Sequence, residues 1–309
     1  MLDTRRLRIL HRLAEHGTIA ATAEALHLSG PAISQHLAAL EREAGAQLLE
    51  KQGRTLVLTP AGRLLVSHAE IILDDLSSAE SALAAFTGRG TGTVRVAAFP
   101  SAARALVPPA WVTLRDHPEG PVALRLAEHE PDDALAALAR REVDIAVAHS
   151  YSLLPRNLPT SAEQRRLLDD PVLLALPTEL AAARGLVPNE VVALADFARE
   201  PWLVPGRVES CHEMVQRACG AAGFVPDGVA EATDFAVLTA LVAAGAGVAL
   251  VPRMALPDGP PTVSIHPLRE PVTRKVFALT GRGAARRPDI GRALAALAGA
   301  AAMISGRNS

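Results

Sequence analysis

Between residues 65 and 86 the apolar side chains fall at Leu65, Ala69, Ile72, Leu76, Ala79, Leu83 and Phe86. The gaps alternate between four and three residues, which puts all seven on one seam of an α-helix. No strand can use that spacing. Asp74, Asp75, Ser77 and Glu80 lie off the seam, and Gly88-Arg89-Gly90-Thr91-Gly92 breaks the helix into a hinge. So regular a seam favours pairing with a second chain over packing on its own domain. Leu65, Ile72, Leu76, Ala79 and Leu83 are therefore expected to form a dimer contact. The seam also divides the 309 residues. Residues 1–58 form one unit, 59–92 a linker helix and hinge, and 93–309 a larger domain.

The N-terminal unit reads as helices. Leu7, Leu10, Leu13 and Ala14 share one stripe that Gly17 ends, and a short second helix fits Ala20 to Leu26. His27-Leu28-Ser29-Gly30 is a tight turn, and Pro31 suits the first turn of a third helix capped by Ser29 or Gly30. That helix buries Ile33, Leu37, Leu40 and Ala44 and shows Ala32, Ser34, Gln35, His36, Ala39 and Arg42 outward. Two short helices, a turn and a third helix with a polar face describe a helix-turn-helix. Glu50 to Arg54 then reads as a polar turn before a short strand, Thr55 to Leu58. Lys51 and Arg54 would form the tip of a wing against phosphate or the minor groove. Thr59-Pro60 is the N-cap and first residue of the linker helix. Ser29, Pro31, Ala32, Ser34, Gln35, His36, Arg42, Lys51 and Arg54 are thus the candidate DNA contacts.

Charge is consistent with this without being strong. The chain holds 31 Lys and Arg against 33 Asp and Glu, a formal net charge of −2, which excludes a globally basic nucleic-acid packager. The first 65 residues hold eight basic and six acidic side chains. So small an excess makes two DNA-binding units per assembly a requirement, because paired units double the phosphate contacts and read two half-sites.

From residue 93 onward strands alternate with helices. Strands are expected at Thr93–Ala98, Val122–Leu126, Asp144–Ala148, Val172–Leu176, Val248–Val251 and Val276–Leu279, with Asp132 capping an intervening helix and a final helix near Ile290 to Ala302. That order predicts an α/β domain with a largely parallel sheet.

The run from Gly17 to Glu41, with Leu48-Leu49-Glu50-Lys51 and Leu58-Thr59-Pro60-Ala61-Gly62, resembles the DNA-binding signature of LysR-type transcriptional regulators. Gly30 stands where that family often carries Gln, and Ala38 and Ala39 stand where basic residues are common. Base readout then shifts toward Ser34, Gln35, His36, the wing and duplex shape. The later segments around Glu142–Val147 and Ala244–Pro252 are similar to the family's effector-binding domain. The resemblance implies a two-lobed, periplasmic-binding-protein-like α/β fold, with lobe one at 93–167 and 268–309 and lobe two at 168–267. It also implies a dimeric linker helix, a homodimer or homotetramer on double-stranded DNA, and a small-molecule effector.

Ligands in such folds bind between lobes, beyond the carboxyl ends of strands. Pro100, Ser101 and Ala102 at a strand-to-helix turn, His149 and Ser150 after a strand, Val204 leading into Pro205-Gly206-Arg207, and Thr233 before a helix are the candidates. A helix start at Ser101 and a cation at Arg207 would suit an anionic effector. No catalytic constellation, cofactor motif or metal-ligand set is evident, so neither an enzyme nor a cofactor protein is expected. The alternative is a solute-binding or enzymatic α/β domain with a helical appendage. Cys211 and Cys219 are about 12 Å apart along one helix, too far for a disulfide while it is intact. Two cysteines and no apolar leader point to the cytoplasm. Residues 235–252 are apolar, but Gly245-Ala246-Gly247 splits them too short for a membrane span.

Overall fold

The computed structural model describes residues 1–52, 55–86, 92–159, 162–207, 210–256 and 262–306. Three helices open the chain: α1 (Thr4–His16), α2 (Ile19–Ala25) and α3 (Gly30–Ala44). Asp3, Thr18 and Ser29 cap them, each side chain accepting a backbone N–H of the first turn. Gly17 and Gly45 end α1 and α3 at positive φ, 71° and 63°. Leu7, Leu10, Leu13, Ile33, Leu37 and Leu40 form the core between them. The polar run after Leu49 is strand rather than turn. β1 (Leu49–Gln52) pairs antiparallel with β2 (Thr55–Leu58), so Lys51 lies on a strand of the wing; Gly53 and Arg54 lie outside the described residues. The Glu41 carboxylate accepts from the backbone N–H of Leu48 and Leu49 (2.8 and 3.1 Å), fixing the wing to the end of α3.

α4 (Pro60–Phe86) is the linker helix, and Thr59 caps it by accepting from Gly62 N at 3.0 Å. A Cβ on Gly62 would lie 2.2 Å from the Leu48 carbonyl oxygen, so only glycine permits this approach of helix and wing. The seam divides in use. Leu65 is half-buried against the N-terminal core and Ala69 is fully buried in it, so this end of the seam also packs within its own chain. Ile72, Leu76, Ala79 and Leu83 are exposed. The side chains of Asp74, Ser77, Glu80 and Phe86, and hinge residues 88–91, lie outside the described set.

The remaining elements are β3 (Thr93–Ala98), α5 (Pro100–Arg115), β4 (Ala123–Glu128), α6 (Pro131–Ala139), β5 (Ile145–Tyr151), β6 (Ala162–Leu176), α7 (Thr178–Ala183), β7 (Pro201–Pro205), α8 (Ser210–Ala221), β8 (Asp227–Ala232), α9 (Phe235–Ala243), β9 (Ala249–Pro252), β10 (Ser264–Gly281) and α10 (Pro288–Gly306). Six strands form one sheet in the order β4-β3-β5-β10-β6-β9. Only β4-β3 and β3-β5 are parallel; the pairs made by β10 and by β6 are antiparallel. The expectation of a largely parallel sheet is therefore corrected. The chain leaves the first half on β6 and returns on β10, and an outgoing and a returning strand side by side must run in opposite directions. These two strands span 15 and 18 residues and serve both lobes. β7 and β8 form a parallel pair joined to β9 by the bridge from Trp202 to Val248.

Two local expectations also change. Asp144 precedes its strand and accepts instead from Arg95 N and Nε. α6 begins at Pro131 with Glu130 as N-cap residue and no side-chain cap bond, so Asp132 sits in the first turn and pairs with Arg156 rather than capping. Separate cores support the two lobes, one built on Leu106, Val147, Val276 and Leu297, the other on Trp202, Met214, Val248 and Leu250.

Candidate DNA-binding face and effector cleft

Buried Ile33, Leu37 and Leu40 fix how α3 is rotated. That leaves Pro31, Ser34, Gln35 and Arg42 exposed and Ala32 and His36 half-buried on its outer side. Ser29 is committed to its cap, accepting from Ala32 N at 3.3 Å. Ser34 Oγ donates to the Gly30 carbonyl (3.1 Å) and Arg42 Nε to the Ala38 carbonyl (3.3 Å), local contacts that a nucleic-acid acceptor can replace. Gln35 points outward with both donor and acceptor atoms, the pair that reads adenine bidentately. Lys51 is exposed on the wing beside this helix.

Contacts tie the N-terminal unit and α4 to the first lobe. Arg12 Nη1 donates to the Arg140 carbonyl at 3.1 Å and Arg141 Nη2 to the Glu70 carbonyl at 3.2 Å. Arg286 pairs with Asp75 at 3.3 Å.

A cavity of about 470 Å³ opens between the lobes. The turn into α5 brings Pro100 and Ser101 to it, the end of β5 brings His149, and the start of α9 brings Thr233. Ser150 and Arg207 line an adjoining cavity of about 350 Å³, and His149 borders both. Ala102 and Val204 do not face the space: each is buried in the core of its own lobe. Their neighbours on helix and strand reach the cleft, and the periodicity of those elements turns these two side chains inward.

The floor holds a pair missing from the sequence reading. Arg274 and Asp170 are 1% and 2% exposed and meet at 2.7 Å. Arg274 also donates to Ser101 Oγ at 3.0 Å and lies 4.9 Å from the centre of the Phe99 ring. The other carboxylate oxygen of Asp170 accepts from Met254 N at 2.9 Å. Burial works against the charge on Arg274, but Asp170, together with Tyr151 and Cys211, outweighs burial and raises the guanidinium above its ordinary value. A signal for Arg274 does exist in the sequence: it stands between Val272 and Val276 at an inward position of an alternating strand.

His149 is 2% exposed, and its Nδ1 is buried without a hydrogen-bond partner. Burial, then Arg274 and Arg156, hold the ring well below the usual histidine range, so it is neutral at pH 7. Tyr151 Oη meets Cys211 Sγ at 3.0 Å behind the cleft. Both cysteines are buried thiols, and burial pushes Cys219 up to about 12. Arg207 is 82% exposed and engaged with Glu231 at 3.3 Å. Among the described residues no cluster of metal-ligating side chains occurs, and no helix is long and apolar enough to cross a membrane.

A winged helix-turn-helix joined by a long helix to a two-lobed, cleft-bearing α/β domain defines a DNA-binding regulator that answers to a ligand. Residues 4–63 match the family model for the bacterial regulatory helix-turn-helix protein of the lysR family, and residues 87–302 match the LysR substrate binding domain. The chain belongs to the LysR family of transcriptional regulators. It is 28% identical over 287 residues to the transcriptional dual regulator OxyR of Escherichia coli, covering 91% of this chain and 90% of that protein. Identity with the RuBisCO operon transcriptional regulator of Allochromatium vinosum is 27% over 216 residues, covering 70% and 68%. Among solved structures, a full-length OxyR variant from Pseudomonas aeruginosa shares the fold with a TM-score of 0.61 at 21% identity, covering 97% of this chain and 95% of that one. Full-length CbnR complexed with its target DNA does so with a TM-score of 0.55 at 21% identity, covering 97% and 99%.

Proposed function

We propose that residues 1–58 bind promoter DNA, that 59–92 pair two chains, and that 93–309 receive a small-molecule effector between lobe one (93–167 and 268–309) and lobe two (168–267). The outer face of α3, led by Ser34, Gln35 and His36, enters the major groove, while Lys51 and Arg54 take phosphate. Ile72, Leu76, Ala79 and Leu83 carry the pairing of α4, in a dimer or a tetramer. The protein acts in the cytoplasm as a regulator rather than a catalyst.

The observation that carries the effector reading is the convergence of Ser101, His149, Thr233 and Arg274 from four separate segments on one cavity. His149 Nδ1 is left there without a protein partner. Ligand binding biases the lobes toward one arrangement, and the contacts of Arg12, Arg141 and Arg286 pass that bias to the DNA-binding unit. The test is a titration of candidate effectors against both thermal stability and the footprint on the chain's own upstream DNA. A ligand bound in the cleft that never moves the footprint refutes the coupling. Absence of a mobility shift by the folded dimer at low salt refutes the DNA-binding assignment.

A further inference from the structure

The charges around the cleft do not balance. Arg274 is neutralised by Asp170, and the Nη2 of Arg104 is taken by backbone carbonyls, with the Ala255 oxygen at 2.6 Å and the Leu256 oxygen at 3.3 Å. Facing them are Glu128, Glu130 and Asp234, all lining the same cavity. Asp234 uses one carboxylate oxygen to accept from Ala236 N. Among the described residues, no protein donor hydrogen-bonds to the carboxylate of Glu128 or Glu130. Burial, only partly offset by Arg274 and Arg156 and reinforced by Glu128, pushes the Glu130 carboxyl above its usual range. His149 adds a buried ring nitrogen with no partner and no positive charge. Of the two features that suggested an anion, Arg207 is engaged with Glu231, while the helix start at Ser101 keeps its backbone N–H groups although Ser101 Oγ accepts from Arg274.

We propose, on the basis that this cleft is the effector site, that the effector carries a positively charged nitrogen, an amine or guanidinium, which docks against Glu130 and Glu128 at the mouth of the cavity. Burying such a cation between two carboxylates supplies a counterion. It also puts N–H donors where the cavity offers acceptors. The backbone N–H groups at the start of α5 remain available to a second, electron-rich end of the same molecule.

The experiment is a thermal-shift and calorimetric titration of the full chain at fixed ionic strength with agmatine, L-arginine and succinate. It is repeated with Glu130→Gln, at a half-buried position, and Glu128→Gln, at an exposed one, either of which suffices if the other fails to fold. Agmatine and arginine should stabilise the wild type, succinate should not, and each variant should weaken agmatine binding about tenfold. Stabilisation by succinate alone, no stabilisation by either cation, or agmatine binding undiminished in both variants overturns the proposal. If succinate binds and Thr233→Val abolishes this, the cleft remains the effector site and only the cationic class falls. If agmatine binds as described but the footprint on DNA stays unmoved, the regulatory role of the cleft falls and the class stands.

Discussion

Replacing Arg274 by methionine leaves the Asp170 carboxylate in place, 2% exposed, with only the Met254 N–H to satisfy it. At the observed 2.7 Å and an effective dielectric constant of about 20, the lost attraction is roughly 6 kcal/mol. Part of that had offset the desolvation of the two ions, so the net cost of stranding one is about 3–5 kcal/mol. Set against a typical domain stability of about 5–15 kcal/mol, this is severe. Asp170→Asn should cost a comparable amount, because an amide oxygen that keeps the Met254 contact turns the amide nitrogen, a donor, toward the Arg274 guanidinium, which stays buried and charged. The double variant should fall short of the sum of the singles by roughly 2 kcal/mol. Urea unfolding followed by tryptophan fluorescence measures this cleanly. The two tryptophans are Trp111 and Trp202, so the signal reports the C-terminal domain alone. If both single variants cost less than about 1 kcal/mol and their effects add, the pair does not act as a coupled buried ion pair in the cleft floor.

Four further outcomes are expected. Ile72→Glu with Leu76→Glu should convert the assembly toward monomers in sedimentation and weaken DNA binding, whereas Leu65→Ala should lower the stability of the N-terminal unit instead. Gly62→Ala should destabilise that unit by about 1–3 kcal/mol, since the new Cβ would meet a backbone oxygen at 2.2 Å; an unchanged Tm refutes the close approach. With Cys219 pushed up to about 12, a thiol reagent at neutral pH should leave it unlabelled until the domain unfolds. Hydrogen peroxide should then form no bond between Cys211 and Cys219, which mass spectrometry checks. Finally, the Glu130 carboxyl is raised in the folded state, so its contribution is full below the unfolded value and is lost as pH rises through the folded one. Glu130→Gln should therefore gain Tm relative to wild type between about pH 4 and pH 7. A difference that does not vary with pH contradicts this.

The helical parts were legible because their spacing is regular and their caps are conventional: Ser29, Thr59, Gly17 and the buried Ile33, Leu37 and Leu40 all stand where the pattern puts them. The two longest strands were not. The first half of β6, Ala162-Glu163-Gln164-Arg165-Arg166, is polar and largely exposed, so no apolar alternation announces it. In β10 an arginine occupies an inward position and Pro267 interrupts the ladder. Within the cleft, the residues at ends of elements were found because strand-to-helix turns mark themselves. Arg274 and Asp170 were missed because each finds its partner far away in sequence, where a charge meets its counterion only in three dimensions; Glu128 and Glu130 were missed because no local pattern marks a carboxylate that faces a cleft.

β6 and β10 run side by side through both lobes, hydrogen-bonded from Ser264 opposite Leu176 to Gly281 opposite Ala162. Lobes connected this way are not plates on a loose pin but the two ends of one ribbon. Swinging them wide apart would tear backbone bonds that a buried strand cannot replace. The ladder slips register between Pro267 and Val272 and again between Val276 and Phe277, and the Arg274–Asp170 pair sits between these slips. The soft degree of freedom is thus a twist of the ribbon about its own length, stiffened at its centre by a buried ion pair. On the mechanism proposed above, an effector would work against torsional stiffness, and its effect would reach the DNA-binding unit as a change of angle rather than of distance.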